Sequence, residues 1–272
     1  MIKTNNLKVL FFGDVIGKIG RRALVKAVPN LRKKYEADLV IVNVENLAHG
    51  KGITRKTWNE LIESGIDFAT SGNHIFKKPE GVEMLDEDIP IIRPANYAHK
   101  TPGKGYKIIE TAKGPIMIVN LLGQLFIKDE PVPTNPFTKL ADILANAKPK
   151  KVKMVIVDFH AEATSEKVAL GRQFDGEVSA VLGTHTHIPT ADMKILPKGT
   201  GYITDVGMVG DKNSILGGQI EPILDAYMNK ERSSRFEISE NGICLANFVY
   251  LEIDTAKGLT RKIKRLDKEI VV

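Results

Sequence analysis

The sequence has very little cysteine: Cys244 is the only one among 272 residues. A single cysteine excludes a disulfide framework, an iron–sulfur cluster held by thiolates and a zinc site of four cysteines. Because disulfides are rare in the reducing cytoplasm, this usage is typical of a cytoplasmic protein. Cys244 lies in an apolar segment, where its simplest role is that of a small buried hydrophobic residue.

The sequence also lacks a long hydrophobic run. A membrane-spanning helix needs about 18 consecutive apolar residues. The best candidate, residues 116–127, is interrupted by Asn120, Gly123 and Gln124. Near the N-terminus, the apolar run Val9–Phe12 is too short for the hydrophobic region of a signal peptide. We therefore expect no membrane segment and a cytoplasmic location.

The chain has only a small excess of positive charge. Lysine and arginine number 39 against 33 aspartates and glutamates, which leaves a formal net charge of +6. The only dense basic stretch, residues 257–268, is typical of the solvated face of a strand. This charge fits a small anionic substrate but does not by itself argue for one. With 43% hydrophobic residues and no linker or repeat, residues 1–272 are expected to form a single domain.

Short apolar strands alternate with helical patterns along most of the chain. Such alternation is typical of an α/β fold with layered helices and sheets. Near the C-terminus, residues 243–253 and the segment after Lys257-Gly258 predict a closing hairpin of more polar edge strands. The predicted strands are residues 7–12, 38–44, 67–70, 116–122, 154–159 and 178–182, and the predicted helices are residues 21–36, 54–64 and a segment starting at Asn135-Pro136.

Polar side chains follow most of these strands at the point where each strand ends. In open α/β sheets, ligands bind at the carboxyl ends of the strands. Separate segments of the chain therefore bring carboxylate, amide and imidazole groups to one rim of a sheet. The residues concerned are Asp14, Glu45, Asn46, Asn73, His74, His160, His185 and His187.

The chemistry of this set is that of a metal centre. Carboxylate, amide and imidazole groups without a thiol suit divalent ions such as manganese, iron or zinc. The set exceeds what one catalytic ion needs, and it fits two ions that share a carboxylate, an arrangement used for in-line displacement at phosphorus. Taken singly, each residue has an ordinary alternative: Asp14 after a glycine is typical of a turn, for example. Their joint occurrence favours the metal centre.

The order of these residues resembles the calcineurin-like metallophosphoesterase superfamily, whose pattern is D-x-H, G-D, G-N-H, H and G-H-x-H. Two positions depart from that pattern: Ile16 replaces the usual second histidine, and Glu45 replaces the usual bridging aspartate. Both departures are typical of the bacterial YmdB-like 2′,3′-cyclic-nucleotide 2′-phosphodiesterases. The stretches that resemble this subfamily are GDVIGKIGR (13–21), VENLAHGKGIT (44–54), RPANY (93–97), TPGKG (101–105), DFHAEATSEK (158–167), GTHTHIPTAD (183–192) and LPKGTGYITDVGM (196–208).

The resemblance implies a four-layer α/β/β/α sandwich with two mixed sheets and with the metal ions at the carboxyl ends of the strands. It implies a first ion bound by Asp14, Glu45 and His187. Asn46 would lie close to this ion and to the substrate.

The resemblance also implies a second ion, which Glu45 would bridge to the first. Its other ligands would be Asn73, His160 and His185. His74 would contact the substrate as the catalytic acid rather than bind an ion.

The activity implied by the resemblance is hydrolysis of 2′,3′-cyclic nucleotides to 3′-nucleotides by a metal-bridging hydroxide, with His74 as general acid. Iron or manganese is expected at both metal positions, ahead of zinc or magnesium, in a homo-oligomeric enzyme. Two other functions stay open: a broader phosphodiesterase or phosphatase acting on RNA ends or phosphoprotein, and a regulatory nucleotide sensor. A larger substrate would need an open groove lined with basic or aromatic residues.

For two further residues, the sequence leaves both a role in the site and an ordinary structural role open. His49, in a glycine-flanked loop, either lines the pocket or is solvated. Glu166, close after His160, either orients an imidazole or binds backbone. A third residue, His99, is expected at the surface.

Overall fold

Two β-sheets share a hydrophobic core at the centre of the computed structural model. The structure describes residues 6–98, 100–127, 132–147, 152–229 and 237–272, and His99 lies outside them. In chain order the strands are β1 (Asn6–Val15), β2 (Leu39–Asn43), β3 (Phe68–Thr70), β4 (Tyr106–Ile109), β5 (Ile116–Leu122), β6 (Met154–His160), β7 (Ala180–Thr184), β8 (Lys194–Ile195), β9 (Gly201–Ile203), β10 (Met208–Asp211), β11 (Ile243–Asp254) and β12 (Leu259–Val271). The helices are α1 (Gly17–Tyr35), α2 (Arg55–Ile62), α3 (Pro79–Leu85), α4 (Pro136–Ala147), α5 (Thr164–Gln173) and α6 (Ile220–Asn229), with a 3-10 turn at Asn73–Lys77.

Both sheets are mixed. The first has the strand order β12-β11-β10-β1-β2-β3, and the second has the order β4-β5-β6-β7-β9-β8. Strands β1 and β2 are parallel, as are β5, β6 and β7, whereas β4 and β11 run antiparallel to their neighbours. Parallel pairing brings the carboxyl ends of the central strands of each sheet to one edge.

Three hydrophobic cores separate four layers. One core joins the first sheet to α1 and α2, through residues such as Leu10, Leu24 and Trp58. A second core lies between the two sheets, and a third joins the second sheet to α4 and α5 through residues such as Leu140 and Val157. The order is therefore helix, sheet, sheet, helix. This confirms the predicted four-layer sandwich with two mixed sheets.

Side-chain alternation turns the central core from apolar to polar at one end. Met154 and Ile156 of β6 lie in the core between the sheets. Because successive side chains of a strand point to opposite faces, Asp158 and His160 follow them on the same face. The same change to buried polar side chains occurs at Asn43, Thr70, Asn120 and Thr184.

The predicted closing hairpin is confirmed as β11 and β12, but only β12 is an edge strand. β11 pairs with β12 on one side and with β10 and β1 on the other. The prediction that β11 is an edge was wrong because buried residues on both of its faces, such as Phe248 and Val249, suit an interior strand. Among the helices of the described ranges, none combines the length and apolarity of a membrane span.

Candidate metal centre

The predicted ligands meet at the polar end of the central core, between strand ends of both sheets. Asp14 belongs to β1 and Glu45 follows β2, whereas His160 ends β6 and His185 follows β7. His160 Nε2 lies 3.1 Å from Glu45 Oε2, and His160 Nδ1 lies 3.8 Å from Asp14 Oδ1. The structure thus brings together side chains from four separate strand ends.

The side chains of this cluster form two groups, and the members of each group lie close enough together to hold a cation. Ligand atoms of Glu45, His160 and His185 lie within 4.8 Å of one another, and so do those of Asp14, Glu45 and His187. Glu45 belongs to both groups. The arrangement therefore offers two adjacent positions with one shared carboxylate.

Unsatisfied buried oxygen atoms indicate that the cluster fits divalent cations. Asp14 Oδ1 and Asn73 Oδ1 are buried and have no hydrogen-bond partner in the part of the chain that the structure describes. The carboxylates of Asp14 and Glu45 are 0% and 1% exposed. A buried carboxylate is costly without a compensating positive charge. Bound cations would supply this charge and would also give the two unpaired oxygen atoms a partner.

Gly72 allows the turn that carries Asn73 and His74 to approach the cluster closely. A Cβ atom added to Gly72 would lie 2.2 Å from Glu45 Oε2 and 2.3 Å from His160 Nε2. The backbone nitrogen of His74 donates a hydrogen bond to Glu45 Oε2 at 3.1 Å. The glycine before Asn73 is therefore required by space.

His160 and His185 converge on one position. His185 Nδ1 lies 3.0 Å from His160 Nε2, and His185 Nε2 lies 3.1 Å from Glu162 Oε2. His185 and His187 have positive φ angles, 101° and 64°. Such backbone conformations cost about 1–3 kcal/mol each in non-glycine residues, so the surrounding structure must hold them in place.

Charges within the cluster shift the pKa values of its members. Burial raises the pKa of Glu45, but His160 outweighs this effect and holds that pKa well below its usual range. Burial lowers the pKa of His160, but the carboxylates of Glu45 and Asp14 raise it overall to about 9. Burial raises the pKa of Asp14 to about 6, and burial with the charge of His160 lowers the pKa of His185 to about 3. His185 is therefore neutral at pH 7, the form that binds metals.

Asp158 connects the cluster to both sheets. Its carboxylate accepts hydrogen bonds from Asn43 Nδ2 at 3.0 Å, from Thr70 Oγ1 and from Thr184 Oγ1 at 2.7 Å. The Thr184 hydroxyl also lies 2.9 Å from His160 Nδ1. Burial raises the pKa of Asp158. Asp158 thus fixes the orientation of His160 through Thr184, a type of support common behind metal-binding histidines.

His74 lies beside the cluster and is fixed by Asn46. His74 Nδ1 lies 3.0 Å from Asn46 Oδ1. The amide nitrogen of Asn46 lies 3.2 Å from both Glu45 Oε1 and His187 Nε2. Burial lowers the pKa of His74 despite the nearby carboxylate of Glu45. His74 belongs to neither of the two cation-holding groups.

A cleft of about 360 Å³ opens beside the cluster. Lys51 is the cation of its lining, and Ile16, at the position of the usual second histidine, contributes an apolar wall. His49 is exposed and is not part of this lining. The residues that line the cleft are Ile16, Asn46, Gly50, Lys51, His74, Glu162, His185, Thr186, His187 and Leu216.

A buried ion pair supports the loop that carries His185 and His187. Lys167 Nζ lies 2.7 Å from Asp205 Oδ2, and both side chains are 1% exposed. Asp205 Oδ2 also accepts a hydrogen bond from the backbone nitrogen of Thr186 at 3.1 Å. His187 Nδ1 donates to the carbonyl oxygen of Leu216 at 2.9 Å, which makes Nε2, the atom that faces the amide of Asn46, the acceptor of the ring.

Some contacts of the site lie outside the residues predicted from the sequence. Glu162, Leu216 and Thr184 each contact a histidine of the cluster. Glu166, in contrast, accepts hydrogen bonds from the backbone nitrogens of residues 124 and 125 and does not orient an imidazole. Only Thr184 carried a detectable signal, because it ends a buried strand directly before His185.

Known proteins with similar sequences and structures point to one family. A family model of YmdB-like proteins matches residues 10–266. The chain is 43% identical over 260 residues to the 2′,3′-cyclic-nucleotide 2′-phosphodiesterase of Bacillus subtilis, covering 96% of each chain. The crystal structure of a phosphatase from Mycoplasma pneumoniae matches with a TM-score of 0.91 and 37% identity, covering 98% of this chain and 94% of that one. A hypothetical protein from Thermus thermophilus matches with a TM-score of 0.88 and 40% identity, covering 97% of this chain and 99% of that one.

These matches span nearly the whole chain and include the segments that form the cluster. Residues 10–266 contain all of the predicted site residues, from Asp14 to His187. The chain belongs to the YmdB-like family of phosphoesterases.

Proposed function

We propose that the protein is a dimetal phosphodiesterase that hydrolyses 2′,3′-cyclic nucleotides to 3′-nucleotides. The observation that carries this proposal is the shared position of Glu45 in two groups of ligand atoms, beside a cleft lined by His74 and Lys51. The name of the Bacillus subtilis relative supports the substrate class and the bond that is cleaved.

The proposed ligands divide between two positions. Asp14, Glu45 and His187 would hold one divalent ion. Bound ions supply positive charge to the phosphate oxygens and lower the pKa of water to near neutral. The mixture of imidazole and carboxylate donors accepts several divalent ions, and the family resemblance makes iron or manganese our expectation ahead of zinc or magnesium. At the second position the ligands would be Glu45, Asn73, His160 and His185.

The proposed role of His74 is to protonate the leaving 2′ oxygen as a general acid. The hydrogen bond from its Nδ1 atom to Asn46 Oδ1 fixes the ring, so the acid is the imidazolium, whose second proton, on Nε2, passes to the leaving oxygen. Asn46 would also bind the substrate at the edge of the cleft. The Lys51 ammonium would attract the phosphate, because it is the cation of the cleft lining.

The test combines metal analysis with product identification. Purified protein should contain two divalent ions per chain, located by anomalous scattering. It should also convert 2′,3′-cyclic AMP to 3′-AMP, with the 2′ and 3′ products separated by chromatography. Removal of metal with a chelator should abolish turnover, and manganese or iron should restore it. Full activity after chelation would contradict the metal mechanism, and formation of 2′-AMP would contradict the proposed bond cleavage.

A regulatory nucleotide sensor is less well supported than an enzyme, because a sensor does not require a fixed acid such as His74. A cytoplasmic location and a homo-oligomeric state stay predictions from the sequence. RNA ends are a second candidate substrate, and a basic cleft elsewhere on the molecule favours them.

A further inference from the structure

A second cleft, of about 550 Å³, lies at the edge of the second sheet between β4 and α4. It is lined in part by residues of two sequence stretches that the metal centre does not use, RPANY (93–97) and TPGKG (101–105). We call it the basic cleft. Its charged and aromatic lining consists of Arg93, Lys104, Lys107, Lys139, Tyr97 and Tyr106.

Arg93 is a buried cation that forms no ion pair with any described residue, and the exposed Asp86 is the carboxylate whose charge acts on it. The residue is 6% exposed, and its guanidinium donates to the carbonyl oxygens of Pro94, Thr101 and Pro102 at 2.8, 3.0 and 3.2 Å. Within the described ranges it forms no ion pair, and burial lowers its pKa. Three carbonyl contacts leave two of the five guanidinium donors without a partner among the described residues, and Asp86 does not pair with the charge directly, so a bound anion would stabilise it.

The lysines of the basic cleft add positive charge that is only partly neutralised. Lys107 pairs with the exposed Asp88 at 2.8 Å. Lys104 and Lys139 form no ion pair with any residue that the structure describes. The ring of Tyr106 is partly exposed beside them. Cations interleaved with an aromatic ring are typical of a groove that binds single-stranded nucleic acid.

The basic cleft begins at the same sheet edge as the metal centre. β4 adjoins β5, and β5 adjoins β6, which carries His160, so β4 and β6 are about 10 Å apart. The carbonyl oxygen of Gly105, just before β4, accepts a hydrogen bond from the backbone nitrogen of Asn120. Tyr97 packs edge-to-face against Phe76, two residues after His74, with ring centroids 5.2 Å apart.

We propose that the basic cleft binds the sugar–phosphate backbone of a single-stranded RNA whose 3′-terminal 2′,3′-cyclic phosphate lies at the metal centre. This inference rests on the proposed phosphodiesterase function and makes an RNA end, rather than a free mononucleotide, the preferred substrate. A mononucleotide has one phosphate and can reach only one of the two sites. An RNA places further phosphates along the path to Arg93, Lys104 and Lys139.

The first test compares two substrates in matched variants. One substrate is an RNA of about eight nucleotides that ends in a 2′,3′-cyclic phosphate, and the other is 2′,3′-cyclic AMP. We expect K104E/K139E to lower kcat/KM for the RNA about tenfold through a higher KM, with turnover of cyclic AMP unchanged. The control is K264E/K268E on β12, with the same change of charge on exposed lysines of the other sheet, and it should leave both substrates unaffected.

The second test measures RNA binding without turnover. Fluorescence anisotropy of the same RNA with a 3′-hydroxyl end gives Kd over a range of salt concentrations. Because each lost phosphate contact reduces the slope of log K against log salt by about 0.7, K104E/K139E should flatten it by about 1.4. If K104E/K139E does not fold, K104Q/K139Q removes the same charges with smaller repulsion, and Tm verifies its fold.

The outcomes separate the two proposals. Unchanged RNA binding in K104E/K139E, or equal losses for RNA and cyclic AMP, would overturn the basic cleft as an RNA site. Absence of any preference of the wild-type protein for the RNA would also overturn it. Weakened RNA binding in the variant, with no turnover of either substrate by the metal-loaded wild type, would support the cleft and overturn the proposed phosphodiesterase.

Discussion

Asn46 Oδ1 lies 3.0 Å from His74 Nδ1. The amide nitrogen of Asn46 faces Glu45 Oε1 at 3.2 Å, so the amide oxygen is the atom left to accept a hydrogen bond from the imidazole. This contact puts a proton on Nδ1 of His74. In the proposed reaction, the other ring nitrogen, Nε2, is then the atom that would give up a proton in the cleft.

Replacing His74 should separate turnover from metal binding. For H74A we expect kcat with 2′,3′-cyclic AMP to fall about 10²–10⁴-fold, the usual contribution of a general acid. Metal content, measured by elemental analysis, should stay that of the wild type, since His74 belongs to neither ligand group. The control is H49A, because His49 is an exposed histidine outside the cleft lining. Wild-type turnover in H74A would remove His74 from the acid role.

Gly72 is expected to tolerate no side chain. In G72A, the new Cβ would lie 2.2 Å from Glu45 Oε2, so the carboxylate must move or the turn must shift. We expect loss of most bound metal, measured by elemental analysis, together with loss of turnover. Retention of the far-ultraviolet circular dichroism spectrum would show that the fold persists. Normal metal content in G72A would mean that the turn and the two side chains do not meet as described.

Glu162 should act as a positioning residue for His185. Its carboxylate lies 3.1 Å from His185 Nε2 and is 50% exposed, so its replacement has little effect on the fold. Loss of such a partner typically costs about 10–100-fold in metal affinity. We expect E162Q to weaken manganese binding by this factor in calorimetry. The control is E177Q, at an exposed glutamate near α5, and equal affinity of the two variants would contradict the positioning role.

His160 should make the stability of chelator-treated protein fall as the pH rises. Burial lowers the pKa of His160, but Glu45 and Asp14 raise it to about 9, above the value of about 6.5 in an unfolded chain. The stabilisation by protonated His160 is therefore complete below about pH 6.5 and is lost as the pH rises through about 9. The pKa of His185 is lowered to about 3, so its titration affects stability only below that window.

The measurement is Tm against pH by scanning fluorimetry in the presence of chelator. Tm of the wild type should decrease between about pH 6.5 and 9, and the slope should be smaller in H160Q. A constant or rising Tm over this interval would show that His160 is not held in its charged form between the carboxylates.

Long apolar strands, and the residues at which they end, were predictable from the sequence. β5 begins and ends at the predicted residues 116 and 122, because a continuous apolar run marks a strand buried on both faces. Asp14, Asn73 and His160 were predictable as candidates for the cluster because rare polar types follow such runs. Asp158 could have been found as well, since a period of two places it on the same face as His160.

Short elements and loop contacts were not predictable in the same way. β8 has two residues and β9 has three, too few to show a period. Glu162 and Leu216 contact the cluster because of the paths of their loops, which no local pattern specifies. The basic residues of β12 were correctly identified as a solvated strand face, whereas the basic cleft requires Arg93, Lys104 and Lys139 to be brought together by tertiary folding.

The proposed ligands come from both sheets, which would link the lifetime of the protein to its metal supply. Asp14 and Glu45 belong to the first half of the sandwich, and His160 and His185 belong to the second. A cation held between them would cross-link the halves and bind little to an unfolded chain. Each ion would then add about 2.7 kcal/mol of stability at a free concentration 100 times its Kd. In a metal-starved cell the protein would open more often and be degraded sooner, so that its abundance follows the availability of its own cofactor.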